Sequence, residues 1–479
     1  MNDKSDSLTA IALWLAGLAY LLAFAPLTRP VMFDPATWDY MSLALLDGRL
    51  PYRDIFLHKT PGAAFLGAAG AWAGSRLGLE PLQGAHLLFL ALGAAGPALL
   101  FLLCRRSAPA IVALAAGALL LAFEQWPLAA LEGVRPKVAT TVFGLGCLLA
   151  SGRGRDVLAG ALGGFAVLCW QPGVVFLLGA AAERRQPKAL VRTMAGAGAV
   201  AAAFLVWLGV SGSTTAFFSD AVVFNVAYVQ EKLRSPAATL RRLWHLLRQW
   251  NADLLALLPA AAAGALLCRI GGKKRATGIP LSLGVAGLAY LALTFLSLQA
   301  WPDTILLGPP LAAGLASGIA ALASRLEEVA WRLAMLAVIA AAVALALDTH
   351  SERFHPPLTY DEQAAAFDEL LAGVPARAPI VAIGVPELLI HSGRHSIWPW
   401  PYMWFGVDRF AADHTPGGFP AMLASLDAQR PERIFLARRW HSEYRSQFER
   451  WAASRYRRRR AAVFPHVARP IIVYERISR

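Results

Sequence analysis

The sequence predicts a polytopic α-helical membrane protein with a small α/β domain after its last span. Three observations predict this. Of the 479 residues, 57% are apolar and only 16% are charged, against about 25% charged in a soluble domain. The apolar residues come in runs of membrane-crossing length, with Lys and Arg clustered between them. After residue 350 the charge density becomes ordinary, and short apolar runs alternate with amphipathic ones. The net charge of +14 raises a nucleic-acid role. Its placement in short loops excludes that role, since basic loops flanking spans explain the pattern. Only Arg455 and the run Arg457 to Arg460 are dense enough to suggest a nucleic-acid patch.

Taken in order, the spans are 8–27, 83–103, 108–123, 137–151, 157–170, 172–182, 189–210, 252–270, 279–299, 304–323 and 329–348. The first run exceeds the roughly 7–15 residues of a signal-peptide core and reads as a retained span. Residues 157–182 read either as one helix or as two broken at Gln171-Pro172-Gly173. Charge placement decides the parity. With Lys4 inside, the clusters around Arg105, Arg153, Arg184, Lys273 and Arg325 all fall inside under two conditions. The stretch 61–79, with five glycines, must lie at the interface, and 157–182 must cross twice. The result is about 11 spans, N-terminus in and C-terminus out. The outer side then receives 28–82, 124–136, 211–251, 300–303 and everything after residue 350. Two domains follow: a membrane module, 1–350, with its first outer loop at 28–82, and a soluble domain, 351–479.

In that last domain, 378–384, 433–437 and 470–475 read as buried strands. Helices are expected over 359–373, 417–429 and 441–456. The alternation suggests a largely parallel sheet. Cys104, Cys147, Cys169 and Cys268 lie in or beside apolar runs, too far apart to suggest a metal site.

The polar residues with chemistry gather on the outer side. The first loop reads Phe33-Asp34-Pro35-Ala36-Thr37-Trp38-Asp39-Tyr40, then Pro51-Tyr52-Arg53-Asp54, then His58-Lys59-Thr60-Pro61-Gly62. It places cations outside, against the positive-inside trend, as an anionic ligand such as a phosphate would require. Other outer loops add Glu132 and Arg135, then Asn225 and Tyr228, then Trp301 and Asp303. Each has a plainer reading. Asp39 and Asp54 suit helix caps, Glu132 suits a salt bridge to Arg135, and Asp303 suits the cap of the helix beginning at Thr304. Trp126 and Trp301 suit an interfacial aromatic belt. The run Trp398 to Trp404 (WPWPYMW), near His391 and His395, is expected to rest on the membrane or to cover an outer cavity.

The first-loop acid with its following Tyr, the Pro-Tyr-Arg-Asp segment and His-Lys-x-Pro-Gly resemble the GT-C glycosyltransferases. The chain is most similar to bacterial members near the protein O-mannosyltransferases and the lipid A aminoarabinose transferases. The likeness extends over most of the chain, including two first-loop helices and Phe-Asn-x-x-Tyr at 224–228. It implies an integral-membrane enzyme of the bacterial inner membrane, with a periplasmic site and a polyprenyl-phosphate-linked sugar as donor. Asp34 occupies the place of the family's catalytic base, and Lys59 that of the lysine contacting the lipid phosphate. The chain departs from the pattern in having Pro35 beside Asp34 and Thr-Pro-Gly after Lys59, so Asp39 stays an alternative base.

The implied chemistry needs a carboxylate to take the acceptor hydroxyl's proton and cations to offset the charge of the leaving phosphate. Arg53 and His58 are expected to assist with that phosphate, and Tyr52, Glu132, Asn225, Tyr228, Trp301 and Asp303 to line the site. One base and one displacement imply inversion. No cofactor or divalent metal is expected. The acceptor is a glycan, a lipid or a protein. The alternative from another class is a transporter or flippase of lipid-linked sugars. Transporters tend to carry internal repeats, and none is visible here.

Overall fold

The computed structural model describes residues 3–228, 235–271, 278–298, 300–354, 356, 358–403, 406–437, 440–460 and 470–477. The expected charged stretches at 229–234 and 273–275, and Trp404, lie outside this set. Helices form in the order α1 (Asp3–Leu22), α2 (Phe33–Leu46), α3 (Gly62–Arg76), α4 (Pro81–Cys104), α5 (Ala110–Ala122), α6 (Gln125–Leu131) and α7 (Pro136–Gly152). There follow α8 (Asp156–Cys169), α9 (Val174–Glu183), α10 (Pro187–Val210) and α11 (Thr214–Phe217), which runs into a π-helix at Phe218–Tyr228. Next are α12 (Pro236–Leu255), α13 (Leu258–Gly271), α14 (Leu281–Ser297), α15 (Gly308–Ala323) and α16 (Glu328–Arg353). The protein is a multi-pass helical membrane protein. Among the described residues, five helices are long and apolar enough to cross a bilayer: Lys4–Thr28, Pro81–Cys104, Pro187–Val210, Trp301–Ala323 and Glu328–Asp348.

Helices α8 and α9 are shorter, and the break between them falls at Gln171–Gly173, where Pro172 removes a backbone donor. Arg184 after α9 pairs with Asp156 at the start of α8 at 3.2 Å. The two therefore form a hairpin with its ends together. Its tip meets the first loop, where Thr60 Oγ1 donates to Val167 O at 2.9 Å. At 14 residues, α8 is about 21 Å long, short of the roughly 30 Å hydrocarbon core.

The stretch expected at the interface is α3, and its glycines explain its placement. A Cβ on Gly74 would come within 2.5 Å of Gly84 Cα, and one on Gly84 within 2.4 Å of Gly70 O. Only bare backbone lets α3 lie this close against α4. The expected span 252–270 begins later, at Leu258, because α12 precedes it as a separate amphipathic helix. Leu243, Leu246, Leu247 and Leu254 of α12 are buried, while Arg241, His245 and Arg248 are exposed. Its backbone breaks from helical geometry at Asn251 (φ −140°).

Segments that charge counting put on one side do meet. At one end Arg105 pairs with Asp6 (3.0 Å), Arg106 with Glu183 (2.5 Å), and Ser107 Oγ donates to Gly278 O (3.0 Å). At the other, Lys137 pairs with Asp303 (2.5 Å), Glu124 N donates to Asn251 Oδ1 (3.1 Å), and Arg29 donates to Phe354 O.

The C-terminal part holds α17 (Tyr360–Leu371), β1 (Ile380–Ile383), α18 (Pro386–Ser392), α19 (Val407–Asp413), α20 (Gly418–Gln429), β2 (Arg433–Ala437), α21 (Arg445–Ala453), β3 (Tyr456–Arg460) and β4 (Ile471–Arg476). The sheet corrects the expectation of parallel strands. Its order is β1-β2-β4-β3, with β1 and β2 parallel and the other two pairings antiparallel. The sequence hid β3, since Tyr-Arg-Arg-Arg-Arg shows no apolar alternation. It is an edge strand, where charge is tolerated. With β3 in place, β4 follows it closely enough in sequence to pair antiparallel. This part docks on the first loop. Gln363 takes Val31 N at 2.7 Å and donates to Val31 O at 3.1 Å. His395 meets Tyr40 Oη at 3.2 Å and Asp47 at 3.3 Å.

Candidate active site at one end of the bundle

Helix α2 carries two carboxylates that face different surroundings. Asp34, in its first turn, pairs with Arg135 yet keeps 65% of its side chain exposed. It is held by Arg135 through one carboxylate oxygen, and most of the side chain stays exposed. Asp39 is fully buried and accepts Val134 N at 3.0 Å and His86 Nε2 at 3.2 Å. Asp39 is thus engaged in holding the turn at 132–135, and Asp34 is the carboxylate open to a ligand.

That turn brings the other charges. Arg135 is 6% exposed and pairs with Glu132 as well as Asp34. Its guanidinium lies 5.4 Å from the centroid of the Trp301 ring. Trp301 begins the short 3₁₀ helix in which Asp303 accepts Ala300 N at 3.1 Å and Lys137 Nζ at 2.5 Å. Asp303 caps a helix that starts at Trp301, three residues before the expected Thr304, from inside its first turn, and it also pairs with Lys137. Lys137 also sits 4.8 Å over the Trp170 ring.

Lys59 completes the cluster. Its Nζ lies 5.9 Å over the Trp38 ring, and among the described residues no carboxylate lies within salt-bridge distance of it. Burial lowers its pKa, Lys137 lowers it further and Asp34 partly offsets both, leaving it at about 8. The protein packed around Asp34 displaces some of its water and raises its pKa, but Arg135, Lys59 and Lys137 outweigh this and bring it down to about 2. An ionised carboxylate and an unengaged amine therefore share one electrostatic neighbourhood.

The loop between them is tightly built. Tyr52 takes a left-handed backbone (φ +69°) that closes the 51–55 turn through Tyr52 N to Ile55 O at 2.7 Å. A non-glycine residue holds that conformation only where its surroundings fix it. Its hydroxyl donates to Lys59 O at 2.7 Å, which fixes the lysine backbone. Asp54 accepts Leu50 N at 2.8 Å and pairs with Arg53 at 2.8 Å. Arg53 is 47% exposed on that turn, where its partner is Asp54. His58 is half-buried against Tyr402, with a ring nitrogen bonded to the Tyr402 hydroxyl. Burial first, then Lys59, pushes its pKa well down, so His58 is a neutral packing group here. Asn225 donates to His58 O at 2.5 Å, and Tyr228 donates to Asp413 at 2.9 Å. Both belong to the π-helix, and both tie loops together. Phe56 N donates to Pro399 O at 2.9 Å, and Trp398 and Tyr402 are buried. The aromatic run therefore covers the first loop.

Of the sequence candidates, the structure brings Asp34, Lys59, Glu132, Trp301 and Asp303 together. Tyr52 and Asn225 brace the backbone of Lys59 and His58, whereas Tyr228 bonds to Asp413 and packs on Phe410. Sequence reasoning noted Arg135 and Lys137 among the charged residues of the 124–137 loop that could line an outer cavity, but gave neither a role of its own in the site. A lysine at the start of an apolar span on the cation-poor side was the available signal. Nothing marked His86, which lies inside an apolar run.

No protein-family model and no curated protein matches the chain. Among solved structures, it resembles ArnT from Cupriavidus metallidurans in the apo state with TM-score 0.65 and 15% identity, over 98% of both chains. It also resembles ArnT from the same organism bound to undecaprenyl phosphate, with TM-score 0.59 and 14% identity, over 98% of this chain and 97% of that one. At this identity the likeness establishes the fold alone, shared with these structures over nearly the whole chain.

Proposed function

We propose that the protein transfers a sugar from a polyprenyl-phosphate donor to an acceptor hydroxyl, with Asp34 as base and Lys59 on the donor phosphate. One observation carries the reading: Asp34 is exposed and shares its electrostatic surroundings with Lys59, an amine that has no ionic partner among the described residues. An ArnT structure with this fold binds undecaprenyl phosphate, which supports a lipid phosphate as the anion.

A carboxylate with a pKa of about 2 is a weak base. The arrangement offers a remedy. A donor phosphate competes with Asp34 for Arg135 and is drawn by Lys59. As Arg135 turns to the phosphate, Asp34 loses its main compensating charge and its pKa rises. The donor thereby strengthens the base that activates the acceptor. Lys137 stays held by Asp303 and adds positive potential. Arg135 and Lys59 offset the charge that grows on the leaving phosphate. With one base acting on one face, the anomeric carbon inverts. The mechanism draws on no metal or cofactor.

The reading places the site on the periplasmic face of the bacterial inner membrane, with about 11 crossings and the N-terminus inside. Residues 1–350 form the catalytic module and 351–479 a periplasmic domain that covers the first loop. The acceptor is a glycan, lipid or protein hydroxyl. The test is transfer of labelled sugar from lipid-linked donors in membranes containing wild type, Asp34→Asn or Lys59→Ala. Loss in both variants is expected, and equal transfer by all three sinks the mechanism.

A further inference from the structure

We infer that Asp39 and His86 are positioning residues that hold Arg135 in register with Asp34; the inference rests on the reaction proposed above. Asp34 and Asp39 both lie on α2, and they grip the 132–135 turn at two different points. Asp34 holds the Arg135 side chain. Asp39 holds the backbone of the turn through Val134 N at 3.0 Å. His86 reaches the same carboxylate from α4 at 3.2 Å, so the turn, α2 and α4 are tied at one buried spot.

Two further observations show that this spot is built. Gly133 sits at φ +106°, and a Cβ there would fall 2.6 Å from His86 Nε2 and 2.9 Å from Asp39 Oδ2. Glycine at 133 lets the turn close onto the pair. Asp39 is also fully buried, and its Oδ2 has no hydrogen-bond partner among the described residues. A buried carboxylate is a poor way to gain stability, since apolar groups of similar volume commonly do as well. Its value lies in the geometry it fixes.

The two grips matter at different moments. Before the donor binds, Arg135 is held by both. Once a phosphate takes the guanidinium from Asp34, Glu132 still holds the side chain, and the Asp39 grip on Val134 N keeps the backbone of the turn where the leaving phosphate needs Arg135. Asp39 and His86 therefore act through Arg135 and touch no substrate.

The test uses the full chain purified in lipid nanodiscs, with two readouts: amide hydrogen exchange over residues 131–137 and affinity for polyprenyl phosphate. Asp39→Ala is expected to speed exchange at Val134 and to weaken lipid binding, each at least about tenfold. Asp39→Asn keeps an acceptor for Val134 N and recovers most of both. His86→Gln, which keeps a donor toward Asp39, stays near wild type. Should Asp39→Ala fail to fold, Gly133→Ala pushes the turn off the pair and is read the same way. Unchanged exchange in Asp39→Ala and Gly133→Ala overturns the inference. Faster exchange with undiminished lipid affinity also overturns it, provided Lys59→Ala loses that affinity. Binding of the lipid by neither wild type nor any variant instead overturns the proposed reaction, and with it the donor role of the grip.

Discussion

The two ends of the helical bundle use the same residue types to opposite effect. At the end with the N-terminus, Arg105 meets Asp6, Arg106 meets Glu183 and Arg184 meets Asp156, one acid per cation. Arg105 also donates to Ala108 O at 3.1 Å and Arg106 to Gly152 O at 2.9 Å. These pairs staple helix ends, and every charge in them is answered. At the other end Arg135 is shared between two carboxylates, one of them exposed, and Lys59 is answered by no carboxylate among the described residues. Aromatic rings of Trp38, Trp170 and Trp301 lie against the cations there. A stapled end is complete without a ligand. The end built around Asp34 has charges arranged for something that binds.

Breaking each end separates stability from activity. The largest effect is expected for Arg135→Ala. It leaves Glu132 buried without its partner, at a cost of about 3–5 kcal/mol, and removes the group proposed to take the donor phosphate. Thermal melting and sugar transfer should both fall sharply. Lys59→Ala comes next. It leaves melting unchanged, since no ion pair is lost, and weakens donor binding about 10- to 100-fold, the worth of one charge-assisted hydrogen bond. The pH dependence sharpens this. An anion binds the protonated amine, and the free-state pKa of Lys59 is lowered to about 8. Donor affinity of the wild type should therefore hold below that pH and decline above it. Lys59→Arg should hold its affinity to higher pH. A flat wild-type profile across roughly pH 7 to 10 contradicts the assignment.

At the stapled end, Arg106→Ala should lower stability by about 1–3 kcal/mol by leaving Glu183 partly buried without its partner. Transfer per folded molecule should match wild type. The smallest effect is expected for Arg53→Ala, which removes an exposed pair on the 50–54 turn. Transfer should stay near the wild-type rate, and a large loss would place Arg53 in the site.

Much of this contrast was legible in the sequence, for identifiable reasons. Hydropathy located the helices because lipid-facing segments must be apolar along their length. Lys and Arg placement sorted the loops, and segments sorted to one side bond to one another, as Lys137 does to Asp303 and Arg106 to Glu183. The glycines of 61–79 marked α3 as unlike a span, though their packing against Gly84 could not be read. The division of labour between Asp34 and Asp39 was not legible. It depends on His86, which comes 47 positions after Asp39 on another helix. The strand at 456–460 was hidden by its arginines, and the mixed sheet with it.

The most direct test of the central claim is single-turnover sugar transfer by Asp34→Asn at donor occupancy matched to wild type. The account predicts that the lipid-linked donor still binds and that transfer falls by about 10²–10⁴, the usual worth of a general base. Transfer at the wild-type rate with equal donor bound would contradict it.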